Sequence, residues 1–106
     1  MAEHYSYGQV WTVGHPTDPD ILPSVPHLVI SSDLYNDSGL GAIMAEVDIH
    51  DMRAPELHEP LPGVGTAMLD RLAWYPGSWL REHVGDLPSE RHVDVARLVR
   101  NLIGNR

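Results

Sequence analysis

The segment Pro26-His27-Leu28-Val29-Ile30 runs into Ser31-Ser32-Asp33-Leu34-Tyr35-Asn36, and this boundary constrains the fold more than any other stretch of the chain. The apolar run is too short for a helix and rich in β-branched residues, and the polar cluster stops it, so it predicts a buried strand leaving its sheet. An earlier strand signal lies at Gly8-Gln9-Val10-Trp11-Thr12-Val13. Between the two, Gly14-His15-Pro16-Thr17-Asp18-Pro19-Asp20 cannot continue a ladder. Two strands joined by a Pro- and Asp-rich loop predict a small barrel.

Alternation is clearest over Gly41–His50, which predicts a third strand. Ile43, Ala45, Val47 and Ile49 fall on one face and are expected in the core. Met44, Glu46, Asp48 and His50 fall on the other, which is expected to be polar. Asp51–Gly65 reads as a loop with at most a short strand near Glu56–His58, and Thr66–Ala73 as a further strand ending before the Pro76-Gly77 turn. Ser78–Val84 reads as a short helix. Pro88-Ser89-Glu90 opens a longer one, with Val93, Val95, Ala96, Leu98, Val99, Leu102 and Ile103 as its apolar stripe and Gly104 as its stop. Strands first and helices last predict an α+β domain built on a small antiparallel barrel, occupying residues 1–106 as one domain.

Charge is divided unevenly along the chain. Residues 1–70 carry eleven acidic side chains against Arg53 alone, whereas residues 71–106 carry four acids and six arginines, within a formal net charge of -8. Phosphate neutralisation supplies most generic affinity for nucleic acid, so a chain this acidic must keep any RNA site local. The absence of Cys excludes disulfides and thiolate metal sites. The N-terminus has neither a basic start nor an apolar signal core, and no stretch is long enough to span a bilayer, so a cytoplasmic protein with no membrane partner is expected.

Five stretches in order resemble the PemK/MazF family of toxins. Gly8-Gln9-Val10-Trp11 is similar to the family's opening strand, Pro16-Thr17 to its Pro-Thr, and Gly39–Val47 to the strand after its Tyr-Asn segment. Thr66–Leu72 is similar to its late strand, and Trp79–Pro88 to the stretch before its last helix. The resemblance implies an SH3-like antiparallel β-barrel of the PemK/MazF/CcdB kind with a C-terminal α-helix, usually homodimeric. It also implies metal-independent, sequence-specific cleavage of single-stranded mRNA, no cofactor, and a cognate antitoxin as partner.

In that reaction the ribose 2′-hydroxyl attacks the adjacent phosphate. A base must take its proton, an acid must protonate the leaving oxygen, and donors or a cation must stabilise the added negative charge. The family usually has Arg where this chain has Val25 and commonly Thr where it has Asp48. The catalytic candidates that remain are His27, Asp48 and Asp70, with His15, Thr17 and Arg71 as substrate contacts and no metal ligands. His27 suits proton transfer near neutral pH, although a lone His on a strand's outer face is ordinarily solvated. Glu46, Asp48 and His50 share a face that is either a polar exterior or an acid–base or metal-binding set. In a regular strand Arg71 points away from Asp70, so it replaces the missing cation only if a bulge re-aims it. Trp11, Trp74 and Trp79 are expected to pack rather than to stack on bases.

Two other functions are alternatives on the same fold. The barrel can persist as a catalytically impaired module acting through protein contacts, as Val25 and Asp48 suggest. A gyrase poison of the CcdB kind would need a Trp-containing C-terminal end, which Leu102–Arg106 lacks.

Overall fold

The computed structural model describes residues 4–21, 23–49, 54 and 56–104. Six antiparallel strands are followed by a helix: β1 (Gln9–Val13), β2 (Val25–Val29), β3 (Ala42–Asp48), β4 (His58–Leu61), β5 (Gly65–Tyr75) and β6 (Leu80–Asp86). A short helix α1 (Asp33–Asn36) links β2 to β3, and 3₁₀ turns at Gly77–Trp79 and Ser89–Arg91 precede β6 and the terminal helix α2 (His92–Leu102). The sheet order is β4-β5-β3-β2-β1-β6.

The polar stop after β2 is built by four side chains. The Ser31 hydroxyl donates to Asn36 Oδ1 while accepting from the Ile43 amide at 3.1 Å, and Asn36 Nδ2 returns a bond to the Ser31 carbonyl at 3.0 Å. Ser32 caps α1 by accepting from the Tyr35 amide. Asp33 accepts from the Tyr7 amide at 2.8 Å. The polar segment after β2 is therefore a capped helical turn that returns the chain antiparallel into β3.

Each face of the sheet carries a core. On one face Val10, Leu28, Ala45, Val47, Leu61, Ala67 and Leu69 pack with Leu87, Val95 and Val99, so this is the face that α2 covers. On the other, Val13, Val29, Ala42, Met44, Leu80 and Tyr5 pack together beneath Trp11, Tyr75 and Trp79. This second core corrects the expectation of one polar face on β3. Met44 is fully buried, while Ile43 and Ile49, expected in the core, are exposed. Residues on both sides of the alternation are apolar where the sheet is covered twice.

The sheet is not closed into the expected barrel: β4 and β6 remain as edges. The two ends nevertheless approach each other. A Cβ on Gly85 of β6 would lie 2.8 Å from Val64, in the turn after β4, so the sheet curls until side chain meets backbone without hydrogen bonds joining the edges.

Two further expectations are corrected. The helix expected over Ser78–Val84 is a 3₁₀ turn and then β6, whose Leu80 and His83 pair with Val13 and Trp11 of β1. Pairing to a distant strand outweighs the local pattern. In α2, Val93 and Ile103 are exposed while Val95 and Val99 are buried, because Val93 lies two residues from Val95, on the opposite side of the helix, and Ile103 lies past its last residue.

Candidate active site

β2 places His27 between two strands. It pairs with Trp11 on β1 and with Glu46 on β3, which puts these three side chains on the face opposite α2. His27 is buried, only 4% exposed, rather than solvated as a lone outward histidine would be. Its Nδ1 lies 3.1 Å from the Val25 carbonyl, which can only accept, so Nδ1 carries the proton and Nε2 keeps its lone pair. The Tyr75 hydroxyl stands 3.5 Å from that Nε2. Burial pushes the His27 pKa below its usual value, while the Val25 carbonyl and the Glu46 carboxylate act in the opposite direction. The result is a neutral imidazole with a defined tautomer.

Aromatic rings extend from His27 to the first loop. His27 packs edge-on against Tyr75 at 5.1 Å, Tyr75 stacks on Trp79 at 6.1 Å, and Trp79 meets His15 edge-on at 5.2 Å. Two sequence candidates, His15 and His27, thus belong to one row through Tyr75 and Trp79. His15 Nδ1 accepts from the amides of Asp18 at 2.8 Å and Thr17 at 3.2 Å, which fixes the loop around the imidazole. Thr17 enters through its backbone, with its side chain exposed. Beside this loop an open groove of about 550 Å³ is lined by Pro16, Ser78, Arg81 and Glu82.

Opposite Glu46 the β5 strand is irregular. Ala45 pairs with Leu72 and the next residue, Glu46, pairs with Met68, so Leu69, Asp70 and Arg71 are accommodated between adjacent rungs. Leu69 enters the core beneath α2. Arg71 is re-aimed, and its Nη1 reaches Glu46 Oε1 at 3.3 Å on the exposed surface. The bulge required for Arg71 to leave the direction of a regular strand is present.

Asp70 is held elsewhere. Its Oδ1 lies 3.2 Å from Nε2 of buried His58, whose Nδ1 accepts from the Ala54 amide, so the histidine donates to the carboxylate. Asp48 stands two residues beyond Glu46 on the same face, paired in register with Thr66. His50 lies outside the described residues. Among the described residues, no three or more His, Asp or Glu side chains gather in a metal-holding arrangement.

Tyr75 and His58 were not distinguishable as site residues from sequence. Tyr75 lies 48 positions from His27 and reaches it only through the β2-β3-β5 order. His58 sits at the start of a strand with a weak local signal. The Trp79 ring, expected only to pack, bridges the two histidine-bearing segments.

An open, curled six-stranded antiparallel sheet with a C-terminal helix, bearing a histidine and aromatic row on the face opposite that helix, defines an α+β fold of the MazF type. Solved structures with this fold include MazF of Deinococcus radiodurans, with a TM-score of 0.73, 21% identity, and coverage of 99% of this chain and 100% of that one. An endoribonuclease in complex with its cognate antitoxin from a mycobacterial species matches with a TM-score of 0.75, 13% identity, and coverage of 97% and 98%. Mycobacterium tuberculosis toxin MazF-mt6 matches with a TM-score of 0.69, 10% identity, and coverage of 92% and 98%. No family model and no curated protein matches this sequence.

Proposed function

We propose that this chain is the toxin of a toxin–antitoxin pair and cleaves single-stranded mRNA at specific sequences without a metal or other cofactor. In this reading residues 1–106 act as a single domain in a cytoplasmic homodimer restrained by a cognate antitoxin. Among the described residues no helix is long and apolar enough to cross a membrane. The observation that carries the proposal is the buried, tautomer-defined His27 on the helix-free face of a fold shared with proteins described as endoribonucleases, one of them with its antitoxin.

The 2′-hydroxyl oxygen attacks phosphorus and the bond to the 5′ oxygen breaks. Because His27 is buried, its Nε2 takes the 2′-hydroxyl proton through the Tyr75 hydroxyl beside it. The leaving 5′ oxygen takes its proton from solvent, and Asp48 and Asp70, the latter a carboxylate held by His58, are the remaining acid–base candidates. Arg71 stabilises charge on the phosphate in place of the arginine absent at Val25. His15 and Thr17 border the substrate path at the far end of the aromatic row.

The test is incubation of purified protein with single-stranded RNAs of varied sequence in the presence of a chelator. Products with 5′-hydroxyl and 2′,3′-cyclic phosphate ends, lost in His27→Ala, are expected. RNA left intact at micromolar protein overturns the enzyme reading, and a stable protein complex found alongside intact RNA establishes the impaired binding module instead.

A further inference from the structure

Glu46 is the direct cross-strand neighbour of His27 and at the same time the ion-pair partner of Arg71. One carboxylate therefore stands between the imidazole and the guanidinium that the reaction requires. Both members of the pair are open to solvent, with side-chain exposures of 56% for Arg71 and 48% for Glu46. The other described arginines are engaged or placed elsewhere. Arg91 holds Glu59 and Asp94, Arg97 meets Asp94, Arg81 donates to the His15 carbonyl, and Arg100 lies on α2.

We propose that Glu46 occupies, in the free protein, the position of a substrate phosphate on Arg71, and that single-stranded RNA binds by displacing this carboxylate with a backbone phosphate. The inference rests on the RNA-cleaving reading and adds to it a residue that opposes binding until substrate arrives. A guanidinium presents its donors in a planar fork that fits carboxylate and phosphate alike, so the exchange preserves the hydrogen-bonding geometry. An exposed ion pair is weakly held in water, so the substrate displaces it at little cost. The β5 irregularity makes the exchange geometrically possible, because it carries Arg71 to the strand surface occupied by Glu46.

The experiment measures binding of a short single-stranded 2′-O-methyl oligonucleotide, which cannot be cleaved, by fluorescence anisotropy to the full chain and to Glu46→Gln, Arg71→Gln and the double variant. Glu46→Gln should tighten binding by up to roughly fivefold, the amount that releasing one exposed ion pair allows. Arg71→Gln should weaken binding and lower the salt slope by about 0.7, the value for one phosphate contact on a single strand. With Arg71 absent, Glu46→Gln should bring no comparable tightening, because the two residues act through one contact. Equal tightening with and without Arg71, or none in either background, overturns the proposal, and RNA cleavage by the wild-type chain in that case leaves the enzyme reading standing. Failure of every variant to bind the oligonucleotide overturns the RNA reading and this inference together.

Discussion

The Tyr75 hydroxyl and His27 Nε2 stand 3.5 Å apart, with the two rings inclined at 75°. Since His27 Nδ1 is committed to the Val25 carbonyl, the phenol donates and the imidazole accepts, which favours the neutral form. Tyr75→Phe keeps the ring packing and removes this donor. The imidazole of His27 should then titrate at higher pH than in the wild type, as followed by NMR of the histidine ring. RNA cleavage should fall on the order of a hundredfold, the scale of one proton-transfer group.

Burial of His27 also links folding to pH. Its pKa is lowered in the folded chain, so below the unfolded value of about 6.5 the unfolded chain takes up a proton that the folded chain resists. The stability from this group is complete above that pH and is lost as pH falls through the folded pKa. Urea unfolding between about pH 7.5 and about pH 5 should show an acid-side decline that is reduced in His27→Gln.

Gly41 joins α1 to β3 with φ +152°, and a Cβ there would collide with the Tyr75 carbonyl oxygen and stand 2.9 Å from the Trp74 ring. Gly41→Ala must displace the end of β5, where Tyr75 lies. It should cost about 1–3 kcal/mol in chemical denaturation, as overpacking does, and reduce cleavage beyond what the stability loss explains.

Arg91 donates two bonds of 2.9 Å to Glu59, which is 5% exposed on β4, and a third to Asp94. Arg97 meets Asp94 alone at 3.5 Å on the surface. Arg91→Ala leaves a buried carboxylate without its cation and should lower the melting temperature clearly. Arg97→Ala should change stability by no more than about 0.5 kcal/mol.

Local signals carried much of this fold. The apolar run Leu28-Val29-Ile30 and its Ser-Ser-Asp stop mark β2 and the capped turn after it, and alternation marks β3. The failures came where distant contacts decide. Residues 80–86 form a strand because β1 pairs with them, although only Leu80 among them is buried. Met44 looked like a member of a polar face because nothing in its own segment announces the core formed by Val13, Val29, Ala42 and Leu80. At the site, His27 was legible as a residue type in a strand, and the need for a bulge at Arg71 was legible as a condition. The Glu46 contact that the bulge creates, the approach of Tyr75, and the His58 partner of Asp70 all depend on strand order.

His27 and Leu28 are consecutive residues that belong to opposite sides of the sheet, one facing the aromatic row and the other the helix-covered core. A lineage built on this arrangement can exchange its reactive groups on one side while the other preserves the scaffold. On the aromatic side Val25 is exposed and Asp48 half-buried. That separation lets the chain share its architecture with solved structures at 10–21% identity.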